Sequence, residues 1–343
     1  MFASLRLAAL VVIALVVSSV IPLANAWQTT ERLPPTYLPA LEGPRARAPF
    51  DANRVPDLQR LQPGYVIIGD SMAGTRVDER QLAELAHVPV APLLQPGSGS
   101  AFWYLALKNW VIASGVKPRM VLFFFRDTNL TDLMFRLDQQ YRWALDLAAL
   151  DREGELDGVI AARLGPFHRV HRLLDRLLGI EQARLRAEPA IAALPASFMI
   201  TSRRRRAEFL SQMNDRLGLE HLRSMDAADV QADEGPDLDF TRDVDRSVLP
   251  LMLRDASRAG LTLCFVRVQR RPTANRPPPQ PPALRRYVDA LRSYLAEHGA
   301  LFHDDTGDPL LTLDLYADGD HLSRHARTLY TANLYNRLRA HFQ

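Results

Sequence analysis

The chain has 343 residues, 47% of them apolar and 24% charged, with a formal net charge of +3. That balance belongs to a folded globular protein and excludes a disordered chain, a collagen-like repeat and a polytopic membrane protein. The length allows one large domain or two small ones, either able to bury a real core. So mild a charge argues against nucleic-acid binding, which concentrates basic residues more strongly. Of the 42 basic residues only Lys108 and Lys117 are lysines, a bias that fits GC-rich coding better than selection for a ligand. The single cysteine, Cys264, excludes an internal disulfide and any CxxC metal or redox motif, and it leaves the compartment open.

Residues 1–26 start with a short stretch containing Arg6, run uncharged and mostly apolar from Leu7 to Leu23, and end in Ala24-Asn25-Ala26. Small residues at those positions are what a signal peptidase reads. The apolar run (7–23) is near the lower limit of the ~17–25 residues of a spanning helix, and Pro22 weakens its end. Signal peptide and single signal anchor both remain open. Either one places the rest of the chain in the periplasm or outside the cell.

Residues 27–63 are rich in proline and arginine with weak periodicity, and are expected to form a tether or wrapping segment before an α/β domain spanning 64–343. Tyr65–Ile68 is a short β-branched run suited to a buried strand. Arg80–His87 has the pattern of a short amphipathic helix, Val88–Leu94 that of a second strand, and Ala101–Ser114 that of a helix stopped by Gly115 and Pro118. Met120–Phe125 is the most apolar strand candidate. Strand, helix, strand, helix, strand is the signature of a doubly wound parallel sheet. A helical, arginine-rich insertion (132–258) interrupts it. The winding resumes with a helix around Ser247–Ala259 and a strand at Leu261–Val268. A proline-rich loop (Pro272–Pro282), a helix (Ala283–His298), a short strand (Ala300–His303) and a terminal helix (Arg324–His341) complete the chain.

Two short segments carry chemistry. In Ile68-Gly69-Asp70-Ser71, a serine stands where a strand end enters a helix. Amides at a helix start are unpaired and the dipole there favours negative charge. A serine oxygen at that place can attack a carbonyl while its own N–H holds the resulting oxyanion. Taken alone, the serine reads first as an ordinary helix cap. Near the C-terminus, Asp318-Gly319-Asp320-His321 precedes the last helix. Three residues apart on a turn, the Asp318 carboxylate can accept the imidazole Nδ1–H, leaving Nε2 to take a serine proton.

An early strand-Gly-Asp-Ser and a late Asp-x-x-His before a terminal helix together resemble the SGNH, or GDSL-like, hydrolase superfamily. The resemblance covers roughly residues 64–131 and 261–343 and leaves the insertion unexplained. It implies a flavodoxin-like parallel sheet and serine ester chemistry without metal or cofactor. Ser71 would be the nucleophile, His321 the base and Asp318 its orienting partner. The family places oxyanion donors on a glycine after the second strand and an asparagine after the third. Gly97 or Gly99 stands at the first place. At the second, the family's G-x-N-D pattern is replaced by Arg126-Asp127-Thr128-Asn129, so Asn129 is displaced by a residue or two. The layout also resembles periplasmic SGNH-like proteins that work beside membrane-bound O-acyltransferases in acetylating exopolysaccharides such as alginate or cellulose. That implies an acylated polysaccharide or acyl donor as ligand and a membrane-bound acyltransferase as partner. The alternative is a non-catalytic envelope assembly protein of the same fold, binding a glycan or such a partner.

Other clusters carry less. His321 and His325 are spaced i, i+4, but no glutamate follows His321, so the H-E-x-x-H zinc motif is absent. His168 and His171 have no third ligand in prospect. His303-Asp304-Asp305 with Asp308 lacks the spacing of a calcium loop. Arg203–Arg206 reads as a solvated helix face, with an anionic glycan or lipid head group as the alternative. Phe102-Trp103-Tyr104 reads as core.

Overall fold

In the computed structural model, residues 38, 41, 50–137, 141–165, 238–272 and 278–339 are described. The apolar segment 7–23, His168, His171, Arg203–Arg206 and the middle of the proline-rich loop lie outside them. Among the described residues no helix is long and apolar enough to cross a membrane.

Five strands form one sheet: β1 (Tyr65–Gly69), β2 (Val90–Leu94), β3 (Met120–Phe125), β4 (Leu263–Arg267) and β5 (Leu301–Asp304). Their order is β2-β1-β3-β4-β5 and every pair is parallel. This is the order of a flavodoxin-like doubly wound sheet. Successive side chains of a strand point to opposite faces, and here both faces are dry. Val66, Ile68, Val121, Phe123, Phe125 and Phe265 enter one apolar cluster. Tyr65, Ile67, Leu122, Phe124, Cys264 and Val266 enter the other. That double burial explains why the central strands β1 and β3 read as unbroken apolar runs. The strands before and after the insertion share one sheet, since β3 pairs β4.

Helices cover both faces. On one side lie α1 (Arg54–Leu61), α4 (Ser100–Ala106), α8 (Leu249–Ala259) and α9 (Pro282–Glu297). On the other lie α2 (Ser71–Arg76), α3 (Glu79–Ala86) and α10 (Arg324–Leu338). The described part of the insertion contributes α5 (Arg142–Ala148), α6 (Gly154–Leu164) and α7 (Phe240–Val244). Leu145, Leu156 and Phe240 from these helices join the main core.

The elements depart from the sequence expectation in three places. Part of the expected tether is the helix α1, and Leu38, Leu41 and Leu58 are buried in the core. Pro56 falls in the first turn of that helix, where the missing N–H has no partner to lose. The helix expected over 101–114 starts at Ser100 and passes into a wider, π-type turn over Leu107–Ile112. Within that turn Lys108 and Asn109 both donate to the buried Glu153 of the insertion. Finally, Asp318 and His321 belong to a small antiparallel hairpin, β6 (Tyr316–Asp318) and β7 (His321–Leu322), where a bare turn was expected.

Asp305, just after β5, is fully buried between the Tyr330 hydroxyl and Arg337 Nη1. Burial pushes its carboxyl up to about 6, against the opposing pull of those two partners. A carboxyl that holds its proton better folded than unfolded contributes stability below about pH 4 and loses it as pH rises through about 6. Asp305→Asn is therefore expected to flatten the pH 4–6 slope of urea-unfolding stability. An unchanged slope would show that the ion pair, not burial, governs this group.

Candidate active site

The chain leaves β1 toward one edge of the sheet and β3 toward the other, so their carboxyl ends diverge and open a crevice. Ser71 is the first residue of α2, directly after β1. Asp70 caps that helix, its Oδ1 accepting the Met72 amide at 2.8 Å. Close entry of α2 depends on Gly69, where a Cβ would stand 2.8 Å from the Ala73 Cβ. His321 arrives from the other end of the chain on the β6–β7 hairpin, which packs against α2. Gly319, at φ +45°, takes the left-handed conformation that this tight turn requires. The result is a contact between residues 250 apart: His321 Nε2 and Ser71 Oγ are 2.9 Å apart.

In the hairpin register Asp318 stands opposite His321. The Asp318 side chain itself lies outside the described part of the structure. Asp320, which the sequence reading passed over, is buried in the cavity wall. Its carboxylate is engaged, accepting from Arg126 Nη1 and from the Arg271 amide.

The serine and histidine face a cavity of about 240 Å³. Met72, Trp103, Phe125 and Phe135 supply its apolar wall, and Asp70, Arg126, Asn129, Arg136 and Asp320 its polar groups. Asn129, the displaced asparagine of the third-strand motif, is among the residues of the wall. Gly97 and Gly99 are not among the described residues that line it. A Cβ at Gly99 would stand 2.3 Å from the Phe135 carbonyl oxygen, and one at Gly97 would stand 3.2 Å from the Tyr141 ring. The two glycines make room for neighbouring chain. Trp103 is both core and wall: it is buried, and its Nε1 donates to Ser98 Oγ at 3.0 Å.

Most charges in and behind the wall are held by hydrogen-bonded partners. Burial raises the Asp70 carboxyl above its ordinary range, opposed by the Met72 amide and by Arg136, Arg76 and Arg126. Behind Arg126, the buried Asp127 accepts from Arg267 Nη2 at 2.5 Å and from Arg270 Nε. Of the acidic cluster after β5, Asp304 pairs with Arg267, and Asp305 and Asp308 with Arg337. Among the described residues no group of three His, Cys, Asp or Glu side chains is placed to hold a metal ion.

Fold and site together define an α/β protein with a serine–histidine pair at the switch point of a parallel sheet. No protein-family model matches the chain, and a search of curated proteins finds no match to it.

Proposed function

We propose that this chain is an extracytoplasmic serine esterase or O-acyltransferase of the SGNH type, acting on acyl, chiefly acetyl, esters of a cell-envelope or exopolysaccharide glycan. The observation that carries the proposal is the 2.9 Å contact between Ser71 Oγ and His321 Nε2 at the mouth of a cavity. Such reach is what a general base needs to take the proton of an attacking hydroxyl.

In this mechanism Ser71 Oγ attacks the acyl carbonyl carbon while His321 Nε2 accepts its proton, and the carbonyl electrons move to oxygen. The Ser71 amide, at the start of α2, and the Asn129 side chain hold that oxyanion. Collapse breaks the ester C–O bond, and His321 returns its proton to the departing alcohol. Water or a sugar hydroxyl then attacks the acyl-serine, again giving its proton to His321. Asp318 orients the imidazole and balances its charge. A cavity of about 240 Å³ with an aromatic wall suits a short acyl group. Activity on a glycan beside a membrane-bound acyltransferase rests on the resemblance of the layout alone.

A fluorophosphonate tests the nucleophile directly. The expected result is a single covalent adduct on the peptide carrying Ser71, lost on Ser71→Ala. No adduct, together with unchanged polymer acetylation in cells carrying that variant, would favour the non-catalytic assembly protein. The placement of Gly97 and Gly99 away from the cavity wall is the one observation on that side. Asn129→Ala is expected to lower kcat about 10²–10³-fold with little change in KM, the usual loss for one oxyanion donor. A fall confined to KM would assign Asn129 to ground-state binding instead.

A further inference from the structure

The loop between β3 and α5 carries Arg136 into the cavity wall, and this arginine is held unlike its neighbours. Its φ is +54°, the left-handed region that residues with a side chain enter at a cost. Strain of this kind persists where surrounding structure enforces it, and it gathers at ligand sites. The guanidinium lies over the Phe135 ring, 4.8 Å from its centroid, and 5.5 Å from that of Tyr141. Gly99 packs on Phe135 and Gly97 on Tyr141, so these glycines shape the support on which Arg136 rests.

Arg126, next to it in the wall, is bonded to Asp320. Arg136 has no hydrogen-bond acceptor among the described residues. Among the described residues the one carboxylate within ion-pair range is Asp70, whose Oδ2 stands 3.8 Å from Nη1, beyond hydrogen-bond reach. The opposite edge, Nε with Nη2, has no hydrogen-bond acceptor among the described residues, and the side chain is 34% exposed. A guanidinium edge of this kind presents two parallel donors that match one carboxylate, and stacking on aromatic rings fixes its plane beforehand.

We propose that Arg136 is a specificity-determining residue that binds a carboxylate of the substrate, so that the ester taken by Ser71 carries a negative charge. The charge sits either on the acyl part, as in a dicarboxylic half-ester, or on the sugar, as in a uronic acid. A singly charged group fits better than a phosphate dianion, because Asp70 stands close to the same guanidinium. The proposal rests on the serine-ester function above and names its substrate class.

The test compares kcat/KM of the full chain on two matched pairs: nitrophenyl acetate with mono-nitrophenyl succinate, and an O-acetylated methyl glucoside with the corresponding methyl glucuronide, whose carboxylate is free. The wild-type protein is expected to prefer the charged member of one pair. Arg136→Gln should lower that charged-to-neutral ratio about 10- to 100-fold, the worth of a charge-assisted contact. Arg136→Lys should recover part of it, keeping the charge and losing the fork. Gly99→Ala should move the ratio the same way, because its Cβ displaces the Phe135 carbonyl. Each ratio is taken on one protein sample, so the folded fraction cancels. The responding pair shows where the charge sits. A preference for the neutral member of both pairs, or ratios that Arg136→Gln leaves unchanged, overturns the proposal while Ser71-dependent hydrolysis stands. If Ser71→Ala hydrolyses all four esters as fast as the wild type, the serine-ester function itself falls, and this inference with it.

Discussion

Ser71→Ala is expected to lower kcat for an acetyl-ester reporter by about 10⁴–10⁶-fold, the scale seen when a serine nucleophile or its base is removed. The reason is local. In the proposed mechanism Oγ forms the acyl-enzyme, and it is positioned by the turn from β1 into α2, which the mutation leaves intact. Asp70 still caps the helix through the Met72 amide, so the fold should not change. His321→Ala should cost a comparable factor, because an unassisted hydroxyl is a weak nucleophile at neutral pH. The double variant should be no slower than either single one, since the two groups act as a unit. Steady-state rates on purified proteins decide this. Singles that retain a tenth of the activity, or effects that multiply in the double, would mean that the 2.9 Å contact serves structure instead.

Asp127→Ala should destabilise the protein by about 3–5 kcal/mol, the usual cost of removing one partner from a buried ion pair. Asp127 sits at the carboxyl end of β3, at φ +45°, and is buried together with Arg267 and Arg270. It takes two bonds from Arg267, at 3.2 Å from Nε and 2.5 Å from Nη2, and one from Arg270 Nε. Arg267 keeps Asp304 and the Gln280 side chain, but alanine removes the carboxylate that both arginines share. Asp127→Asn keeps an acceptor and tolerates the left-handed backbone, so its loss should be smaller. Urea denaturation at constant m-value measures both. A loss below about 1 kcal/mol for the alanine variant would place the pair among the weak, solvated ones. Asp127 lies between Arg126 and Asn129, so the same variant should also lower activity by loosening that wall of the cavity.

The sheet strands were legible because burial on both faces leaves a local mark: β1 and β3 read as unbroken apolar runs, and each of the five sheet strands falls within a residue or two of its expected place. Helix α1 was not legible, since a proline in a first turn looks like one that breaks a helix. The hairpin register of Asp318 and His321 was not legible either, because pairing depends on where Gly319 turns the chain. Trp103 was read as core and also walls the cavity; no local signal separates the two roles. Gly97 and Gly99 were read from their place in the winding, and only the packing of Phe135 and Tyr141 showed what their missing side chains allow.

By itself the sequence determined the sheet strands, most of the helices around them and the parallel winding, since these follow from short-range periodicity and a few residues at chain turns. Only the tertiary structure decided that Ser71 meets His321 across 250 residues, that Asp320 is engaged by Arg126 and the Arg271 amide, and that Arg136 enters the cavity. Those outcomes are sums of packing over the whole sheet, which no short stretch of sequence records.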